Sequence, residues 1–322
     1  MSCRIVLLAW LVAWGATAAR AQSAEPPWPT RPIRLVAPLP PGSAADVLAR
    51  LVGSKLADAL GQPVIVENRD GGSGMIGSNQ IAHADPDGYT LGIATTTTLV
   101  TAPILDPSVS YNAEADFTPI AMVGYSPYVF VTNPAVPARS IPEFVALAKA
   151  KPGALTYSSV GEASLARLGA ELLSSMTGIK LTQVPYKSST QAVIDLVAGR
   201  IDSQFGILTT THQYIRDGKL RGLGVTTRTR IPEFKDIPTI SESGVPGFEA
   251  TLWIGLVGPA RLRPDIVARL NGVVNQALNV VETKKLLFDQ SIVVDTGTPE
   301  FLRRRIADDL RKWRPLAAKA SL

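Results

Sequence analysis

Residues that perform hydrolytic chemistry are scarce in this chain. Its 322 residues include two histidines, His83 and His212, and one cysteine, Cys3. Neither a Gly-x-Ser-x-Gly nor a Ser-x-x-Lys sequence, the signatures of two serine-hydrolase classes, occurs. We expect both histidines to be ordinary surface or capping residues, and we predict no metal site and no cofactor. The sequence favours a binding protein over an enzyme, although a mechanism that uses carboxylates alone stays open.

One loop has the residue types of an anion-binding site. Residues 38–46 read Pro-Leu-Pro-Pro-Gly-Ser-Ala-Ala-Asp and join a predicted strand directly to a predicted helix. Such loops lie at the carboxyl end of a sheet, where α/β proteins bind ligands. Gly42 allows close approach of the backbone, and Ser43 with Asp46 has the spacing of a helix capping box. The free amides at this helix start favour a carboxylate or phosphate; a capped helix without a ligand is the alternative.

A second glycine-rich loop has the spacing of a dinucleotide-binding fingerprint. Gly72, Gly74 and Gly77 follow a predicted strand as Gly-x-Gly-x-x-Gly. Nucleotide binding would require an acidic residue about 20 positions later, at the tip of the next strand. That strand instead ends in four threonines, residues 95–98. We therefore interpret the glycines as positions where the loop backbone lies close to a ligand cleft or to a neighbouring segment.

These loops belong to a chain in which short β-rich runs alternate with helical patterns. The alternation predicts an α/β fold with mostly parallel sheets and flanking helices. A proline-containing loop is expected between the third and fourth strands. The predicted strands are 33–36, 64–66, 90–94, 128–132, 155–158, 181–184, 203–207, 222–226 and 253–257. The predicted helices are 48–60, 77–83, 264–279, 281–289 and 299–313, with others beginning near residues 141, 164, 190 and 211.

The order of these elements predicts two domains, between which the chain crosses twice. Residues 127–246 have their own strands and helices, whereas the late strand and terminal helices are expected to return to the first block. We predict a discontinuous first domain, residues 22–126 and 247–322, and a second domain, residues 127–246. Two crossings with a cleft between the domains are typical of hinge-closing, type II-like periplasmic binding proteins.

Residues 1–21 have the features of a secretory signal peptide. A basic start is followed by an apolar run over residues 5–19, and Ala19-Arg20-Ala21 supplies the small-x-small pattern of a cleavage site. A membrane-spanning helix is the alternative, but it needs about 20 apolar residues, more than this run contains. No twin-arginine pair precedes the run. We predict cleavage after Ala21 and export to the periplasm by the general secretory route.

The positive charge of the chain does not point to nucleic acid. The formal net charge is +5, and the densest basic group is residues 303–305. These arginines interleave with Asp308 and Asp309 on an amphipathic C-terminal helix, which is typical of a solvated face. Because nucleic-acid binding requires a patch of one sign, we predict no nucleic-acid partner.

Seven short stretches occur in an order that resembles one known family. They are residues 31–36, Pro-Pro-Gly at 40–42 with Asp46, 60–64 running into Glu-Asn-Arg at 67–69, 86–91, 149–153, 184–187 and 246–250. The sequence is similar to the substrate-binding receptors of tripartite tricarboxylate transporters, the Bug family, over essentially its whole mature length. The resemblance implies a two-domain receptor that closes on a small carboxylate and holds one carboxyl end with amides and waters of the first loop.

The function that the resemblance implies is delivery of an organic acid to the membrane permease subunits of such a transporter. The acid would be an aliphatic di- or tricarboxylate or an aromatic carboxylate, and we expect the receptor to be a monomer. The predicted ligand-binding residues are Pro40, Gly42, Ser43, Ala44, Ala45, Asp46, Thr95, Thr96, Ser158, Glu162, Ser164, Tyr186, Phe205 and Ile207.

The chain departs from the family pattern mainly in the second domain. Ala45 stands where the family usually has threonine, and Gly-Ile follows Phe205 where an Asp-Asn pair is common. Glu162 and Arg167 replace neutral residues of a Gly-Asn-Gly-Ser-Ser-Thr-His stretch. Either both charged residues face the ligand, or both are surface residues and the second half of the pocket is neutral. A neutral half favours a monocarboxylate, such as an aromatic one, that rests against apolar groups.

Two other functions stay open at this point. A binding-protein-derived sensor would pass the ligand signal to a signalling protein, and a neighbouring sensor-kinase gene would favour it. Neighbouring genes for one large and one small membrane protein would favour transport. Turnover of an organic acid by the purified protein would favour a secreted enzyme with an unrecognised site.

Overall fold

The computed structural model describes residues 28–160 and 164–319. The predicted signal peptide and Glu162 lie outside the described residues. The strands are β1 (Ile33–Ala37), β2 (Val64–Asn68), β3 (Thr90–Thr95), β4 (Phe117–Ser126), β5 (Tyr128–Thr132), β6 (Thr156–Val160), β7 (Thr182–Tyr186), β8 (Ser203–Ile207), β9 (Arg221–Val225), β10 (Leu252–Pro259) and β11 (Val293–Gly297).

Helices connect most of these strands. They are α1 (Ala44–Leu60), α2 (Met75–Ala82), α3 (Ala102–Leu105), α4 (Ile141–Ala150), α5 (Leu165–Thr177), α6 (Ser189–Val197), α7 (Leu208–Arg216), α8 (Pro264–Leu278), α9 (Val281–Asp289) and α10 (Pro299–Lys319). Short 3-10 helices cover Gly72–Gly74 and Pro232–Phe234, and a π-helical turn covers Thr97–Thr101. None of the helices in the described part of the chain combines the length and apolarity that a membrane crossing requires.

The strands form two sheets. The first has the order β11-β4-β10-β3-β1-β2 and the second the order β7-β6-β8-β5-β9. The second sheet is built only from strands between residues 128 and 225, and the first from the strands on either side of that segment. This membership supports the predicted division into two domains, whose boundaries after residues 126 and 246 stay a prediction.

The prediction of mostly parallel sheets is wrong. β1 pairs in parallel with β2 and β3, and β6 with β7 and β8, but the other five pairings among the described strands are antiparallel. The double crossing explains the difference. Strand β5 is the first strand of the second domain and begins opposite the end of its neighbour β8. Strand β10 is the first strand after the return to the first domain and begins opposite the end of its neighbour β3. Both sheets are therefore mixed.

Strand β4 occupies part of the segment expected to be a proline-containing loop. Pro119 lies within this strand, opposite Val257 of β10 and beside a register shift between Leu256 and Val257. Proline has no N–H for the ladder and is tolerated at such irregularities. Since β4 ends at Ser126 and β5 begins at Tyr128, the missed strand carries the first crossing.

Each domain packs helices on its sheet. In the first domain, α1 and α8 cover one face, and Leu48 and Leu270 are fully buried there. In the second domain, Phe130 of β5 packs edge-on against Phe144 of α4, with ring centroids 4.8 Å apart. The C-terminal helix α10 contacts both β4 and α5, so it spans the two domains.

Candidate functional site

The strand registers bring one edge of each sheet to the chain crossings. In the first sheet, β10 begins at Leu252, opposite Ser126 where β4 ends, and β1–β3 run in the same direction as β4. In the second sheet, β5 begins at Tyr128, opposite Ile207 where β8 ends, and β6 and β7 run parallel to β8. The carboxyl ends of both sets of parallel strands therefore face each other, and the cleft between them is the candidate site.

The first loop is built around the start of α1. Ser43 is the N-cap, and its Oγ accepts the amide of Asp46 at 3.3 Å, which confirms the predicted cap. Asp46 Oδ2 in turn accepts the amide of Gly42 at 2.9 Å, one residue earlier than in a standard capping box. The structure brings these residues together with Pro40, Ala44 and Ala45 at the predicted edge.

Asp46 is the centre of a polar cluster behind this loop. Asn68 Nδ2 donates to Asp46 Oδ1 at 2.9 Å and to the carbonyl oxygen of Leu39 at 3.2 Å. Arg50 Nε donates to Asp46 Oδ2 at 3.2 Å, and Arg50 Nη2 lies 2.9 Å from Oδ1. The carboxylate of Asp46 therefore fixes the loop instead of being directed at a ligand.

The same partners keep Asp46 ionised. Burial alone would raise its pKa, but hydrogen bonds from the Gly42 amide, Arg50 and Asn68 outweigh burial and hold the pKa below its ordinary value. Arg50 also compensates the negative charge. This compensation lowers the repulsion that an anion in the cleft would meet.

Two amides at the start of α1 have no protein partner; Ala44 is partly exposed, and Ala45 is 1% exposed. No described residue accepts a hydrogen bond from the amide of Ala44 or of Ala45. First-turn amides point outward at the positive end of the helix macrodipole. Gly42, beside them, has φ of +80°, and a Cβ built on it would meet nothing within 4 Å. We call Gly42 and the Ala44 and Ala45 amides the first-loop anion site.

The Gly-x-Gly-x-x-Gly loop is a packing element next to this site. A Cβ at Gly74 would lie 2.5 Å from Thr98 Cγ2. At Gly77 it would lie 2.7 Å from the carbonyl oxygen of Arg69 and 2.8 Å from the Cα of Pro38. Because real side chains do not tolerate such distances, only glycine lets α2 approach the first loop this closely. The interpretation of a close backbone approach is confirmed.

The structure gives Thr95 and Thr96 internal partners. Both side chains are buried, and the Thr95 amide donates to Thr98 Oγ1 at 2.9 Å. Thr96 Oγ1 donates to the carbonyl oxygen of Thr251 at 3.2 Å and accepts the amide of Trp253 at 3.0 Å. The Thr96 bonds attach the end of β3 to β10, and the Thr95 bond fixes the π-helical turn that follows β3, so both threonines serve the first domain itself.

The start of α5 is the second-domain counterpart of the first-loop anion site. Ser164 is the N-cap, and its Oγ accepts the amide of Arg167 at 3.3 Å. Within the described ranges, the amides of Leu165 and Ala166 have no acceptor. The strand β6 that precedes this helix ends at the cleft edge. A helix start from each domain thus borders the cleft.

Two other predicted contacts, Phe205 and Ser158, are buried, and a third, Tyr186, is partly buried. Phe205 is 1% exposed and packs on Phe130, with ring centroids 4.6 Å apart. Ser158 is fully buried in the middle of β6. Tyr186 donates its hydroxyl to Asp195 Oδ2 of α6 at 2.9 Å. Strand alternation turns Phe205 and Ser158 into the domain, and Ser158 Oγ has no hydrogen-bond partner in the described part of the chain. Tyr186 and Ile207 remain partly exposed at the ends of β7 and β8.

Arg167 is not a surface residue. It is 8% exposed in the first turn of α5. Burial and the nearby Glu171 raise the pKa of the Tyr157 hydroxyl, and the positive charge of Arg167 opposes this rise. The guanidinium therefore lies near Tyr157, and of the two alternatives for Arg167 the one that places it on the surface is wrong.

The two histidines have ordinary structural surroundings. His83 Nδ1 lies 2.9 Å from the carbonyl oxygen of Asn79, one helical turn earlier. The His212 ring packs edge-on against Phe234 at 4.7 Å, and burial together with Arg216 lowers its pKa. The described residues contain no group of three histidine, cysteine or acidic side chains able to hold a metal ion.

An ionic cluster lies at the second crossing, just before the chain enters β10, and no sequence pattern predicted it. Glu249 Oε2 accepts from Arg228 Nε, which follows β9, at 2.7 Å, and Glu249 Oε1 accepts from Arg305 of α10. Arg305 and Asp309 are 11% and 3% exposed in their side chains, so the predicted solvated face of α10 is wrong for them. Burial would raise the pKa of Glu249, but Arg305, Arg228 and Lys312 hold it below its ordinary value.

Solved structures define the class of this protein. Rpa4515 of R. palustris, solved with adipate, has a TM-score of 0.73 and 31% identity, over 91% of this chain and 98% of that chain. A TctC solute-binding protein from Polaromonas, solved without ligand, has a TM-score of 0.83 and 27% identity, over 91% and 99%. The two mixed sheets with a cleft between them are thus those of a periplasmic solute-binding protein.

Sequence comparison then gives the family. Residues 48–322 match the family model described as tripartite tricarboxylate transporter family receptor. The chain is also 36% identical to BugT of Bordetella pertussis, over 89% of this chain and 88% of BugT. The chain therefore belongs to the tripartite tricarboxylate transporter receptor family, a family of solute-binding receptors and not of enzymes.

Proposed function

We propose that this protein is an extracytoplasmic receptor that closes on a small organic carboxylate and delivers it to a tripartite tricarboxylate-type permease. The observation that carries the proposal is the first-loop anion site at the cleft. Its two amides have no acceptor within the described residues, and the space in front of Gly42 is open. One ligand carboxylate accepts hydrogen bonds from Ala44 and Ala45 in this proposal.

The energetics fit a ligand of this kind. Hydrogen bonds to a charged group contribute about 1.5–3 kcal/mol each. A micromolar affinity corresponds to about 8 kcal/mol. Two amides and the macrodipole of α1 supply roughly half of that, and burial of an apolar chain between the closed domains supplies the remainder. The amides of Leu165 and Ala166 at the start of α5 would receive the second polar end of the ligand.

The family supports the remaining parts of the proposal. The relative solved with adipate makes a dicarboxylate with an apolar middle the first ligand to test. The proposal also includes a periplasmic location after removal of residues 1–21, a monomeric state and membrane permease subunits as partners. Pro40, Ser43 and Ile207 would line the cleft beside the two helix starts.

The proposal predicts that organic acids stabilise the purified protein against heat. A ligand that binds only the folded state adds RT ln(1 + [L]/Kd), about 2.7 kcal/mol at a hundredfold excess over Kd. That amount raises the Tm of a protein of this size by several degrees. The acids to be tested are adipate, malate, citrate and benzoate. The effect of each acid on the Tm is measured by thermal unfolding, and its Kd is then measured by calorimetry.

Neutral analogues of the same length provide the control. Dimethyl adipate and 1,6-hexanediol keep the carbon chain of adipate but lack its charges, so we expect no change in Tm with either. Stabilisation by the neutral analogues equal to that by adipate would contradict an anion site. A panel of acids that leaves the Tm unmoved would contradict the proposed function.

A further inference from the structure

In both sheets, the strands at the crossings separate two groups of elements. β4 and β10 lie between the strands β1–β3, which end at the cleft, and the outer strand β11. In the second sheet, β5 lies between β6–β8 and the outer strand β9. The crossings therefore form an axis, with the ligand loops on one side and β11 and β9 on the other.

The elements on the far side of this axis contact each other across the two domains. Phe288 of α9, the helix that leads into β11, has its ring centroid 6.0 Å from that of Phe234. Phe234 belongs to the 3-10 helix that follows β9, and both rings pack against the apolar core of the second domain. Beside this pair lies a groove of about 500 Å³ lined by Val281 of α9 and by Glu233 of the 3-10 helix.

We infer that this Phe234–Phe288 contact opposes closure and thereby sets the ligand affinity. The inference rests on the proposed function, in which the domains rotate about the crossings to close the cleft. A rotation that brings the ligand loops together moves β11 and α9 away from the 3-10 helix. The present structure, which contains this contact, has a TM-score of 0.83 with the relative solved without ligand and 0.73 with the relative solved with adipate.

The contact acts on affinity through the population of the closed state. The apparent Kd equals the intrinsic Kd divided by the fraction of molecules that can close on the ligand. An aromatic pair of this kind changes an equilibrium by roughly two- to tenfold. Removing it therefore tightens binding by that factor, although the substitution makes the folded protein less stable.

Two substitutions weaken the contact by different means. Phe288→Ala removes one ring, and Val281→Trp adds bulk to the groove, at a position that is 75% exposed and tolerates a larger side chain. Both are expected to favour closure. Leu286→Trp is the matched control, because Leu286 lies on the same helix, is 55% exposed and does not line the groove.

Closure is measured without any ligand. Ile76→Cys and Thr190→Cys, both at exposed positions near the starts of α2 and α6, carry a pair of spin labels across the mouth of the cleft. Cys3, the single natural cysteine, lies in the predicted signal peptide. We expect the population with the shorter label distance to increase in Phe288→Ala and Val281→Trp, and to stay unchanged in Leu286→Trp.

Adipate titration completes the test. The expected result is a two- to tenfold lower Kd for Phe288→Ala and Val281→Trp. Unchanged label distances in both variants would overturn the inference, as would an unchanged or higher Kd. If adipate binds none of the proteins, the proposed ligand class is challenged, while the label distances still decide whether the contact holds the cleft open.

Discussion

Replacing Gly42 with aspartate is expected to lower the affinity for a carboxylate ligand by between tenfold and a hundredfold. The new side chain would extend into open space beside the first turn of α1, whose Ala44 and Ala45 amides have no acceptor among the described residues. Two unit charges about 5 Å apart repel by about 3 kcal/mol at an effective dielectric constant of about 20. Solvent in the open cleft reduces this value, which gives the lower end of the range.

Two variants separate charge from backbone strain. Gly42→Asn has the same shape without the charge, and aspartate and asparagine both tolerate a positive φ better than other residues do. Gly61→Asp repeats the strain, because Gly61 has φ of +70° with open space around it, but at the other end of α1. Calorimetry should show the largest loss for Gly42→Asp, a smaller one for Gly42→Asn and none for Gly61→Asp. Equal Kd values for Gly42→Asp and the parent would place the carboxylate elsewhere.

Replacing Asp46 with asparagine is expected to lower the free energy of unfolding by about 2–3 kcal/mol at pH 7. The substitution removes the charge that Arg50 pairs with and places an amide group among donors from Gly42 and Asn68. Hydrogen bonds to a charged group contribute about 1.5–3 kcal/mol each, and the exposure of Arg50 reduces the share of the ion pair. Urea unfolding of parent and variant measures the difference.

The pH dependence of this difference has a defined sign. The folded-state pKa of Asp46 lies below the ordinary value of 3.8, so the folded protein favours the ionised form. Its contribution is complete above the unfolded-state pKa and disappears as the pH falls through the folded-state pKa. The stabilities of parent and Asp46→Asn should therefore converge in acid. Asp265→Asn, an exposed first-turn carboxylate of α8, is the control and should leave stability nearly unchanged.

The first loop is predictable from sequence because its signals are local. The prolines, Gly42, the Ser43 cap and Asp46 lie within nine residues, and each acts on its own neighbours. Sequence alone does not show that Asp46 is held by Asn68, which is 22 residues away on β2. The pattern therefore predicts the loop and its helix cap correctly but assigns the Asp46 carboxylate to a ligand, whereas the fold uses it to hold the loop.

The predictions that differ from the structure depend on distant parts of the chain. Phe205 lies in the middle of β8, but whether its ring faces the cleft or the core depends on Phe130 and on α5 packed over it. The ionic cluster joins Glu249 to Arg305 across 56 residues, and no local spacing reveals it. Strand β4 contains Pro119, a residue that normally argues against a strand. In each case a tertiary contact outweighs the local preference.

The most direct test of the anion site follows its two amides during a ligand titration. Protein labelled with ¹⁵N-alanine is titrated with the acid that gives the largest rise in Tm, and Ala44→Gly and Ala45→Gly variants assign the two signals. The proposal predicts that both amide protons move downfield as hydrogen bonds to the carboxylate form, with the Kd that calorimetry gives. Calorimetric binding that leaves the Ala44 and Ala45 signals in place would contradict the proposed site.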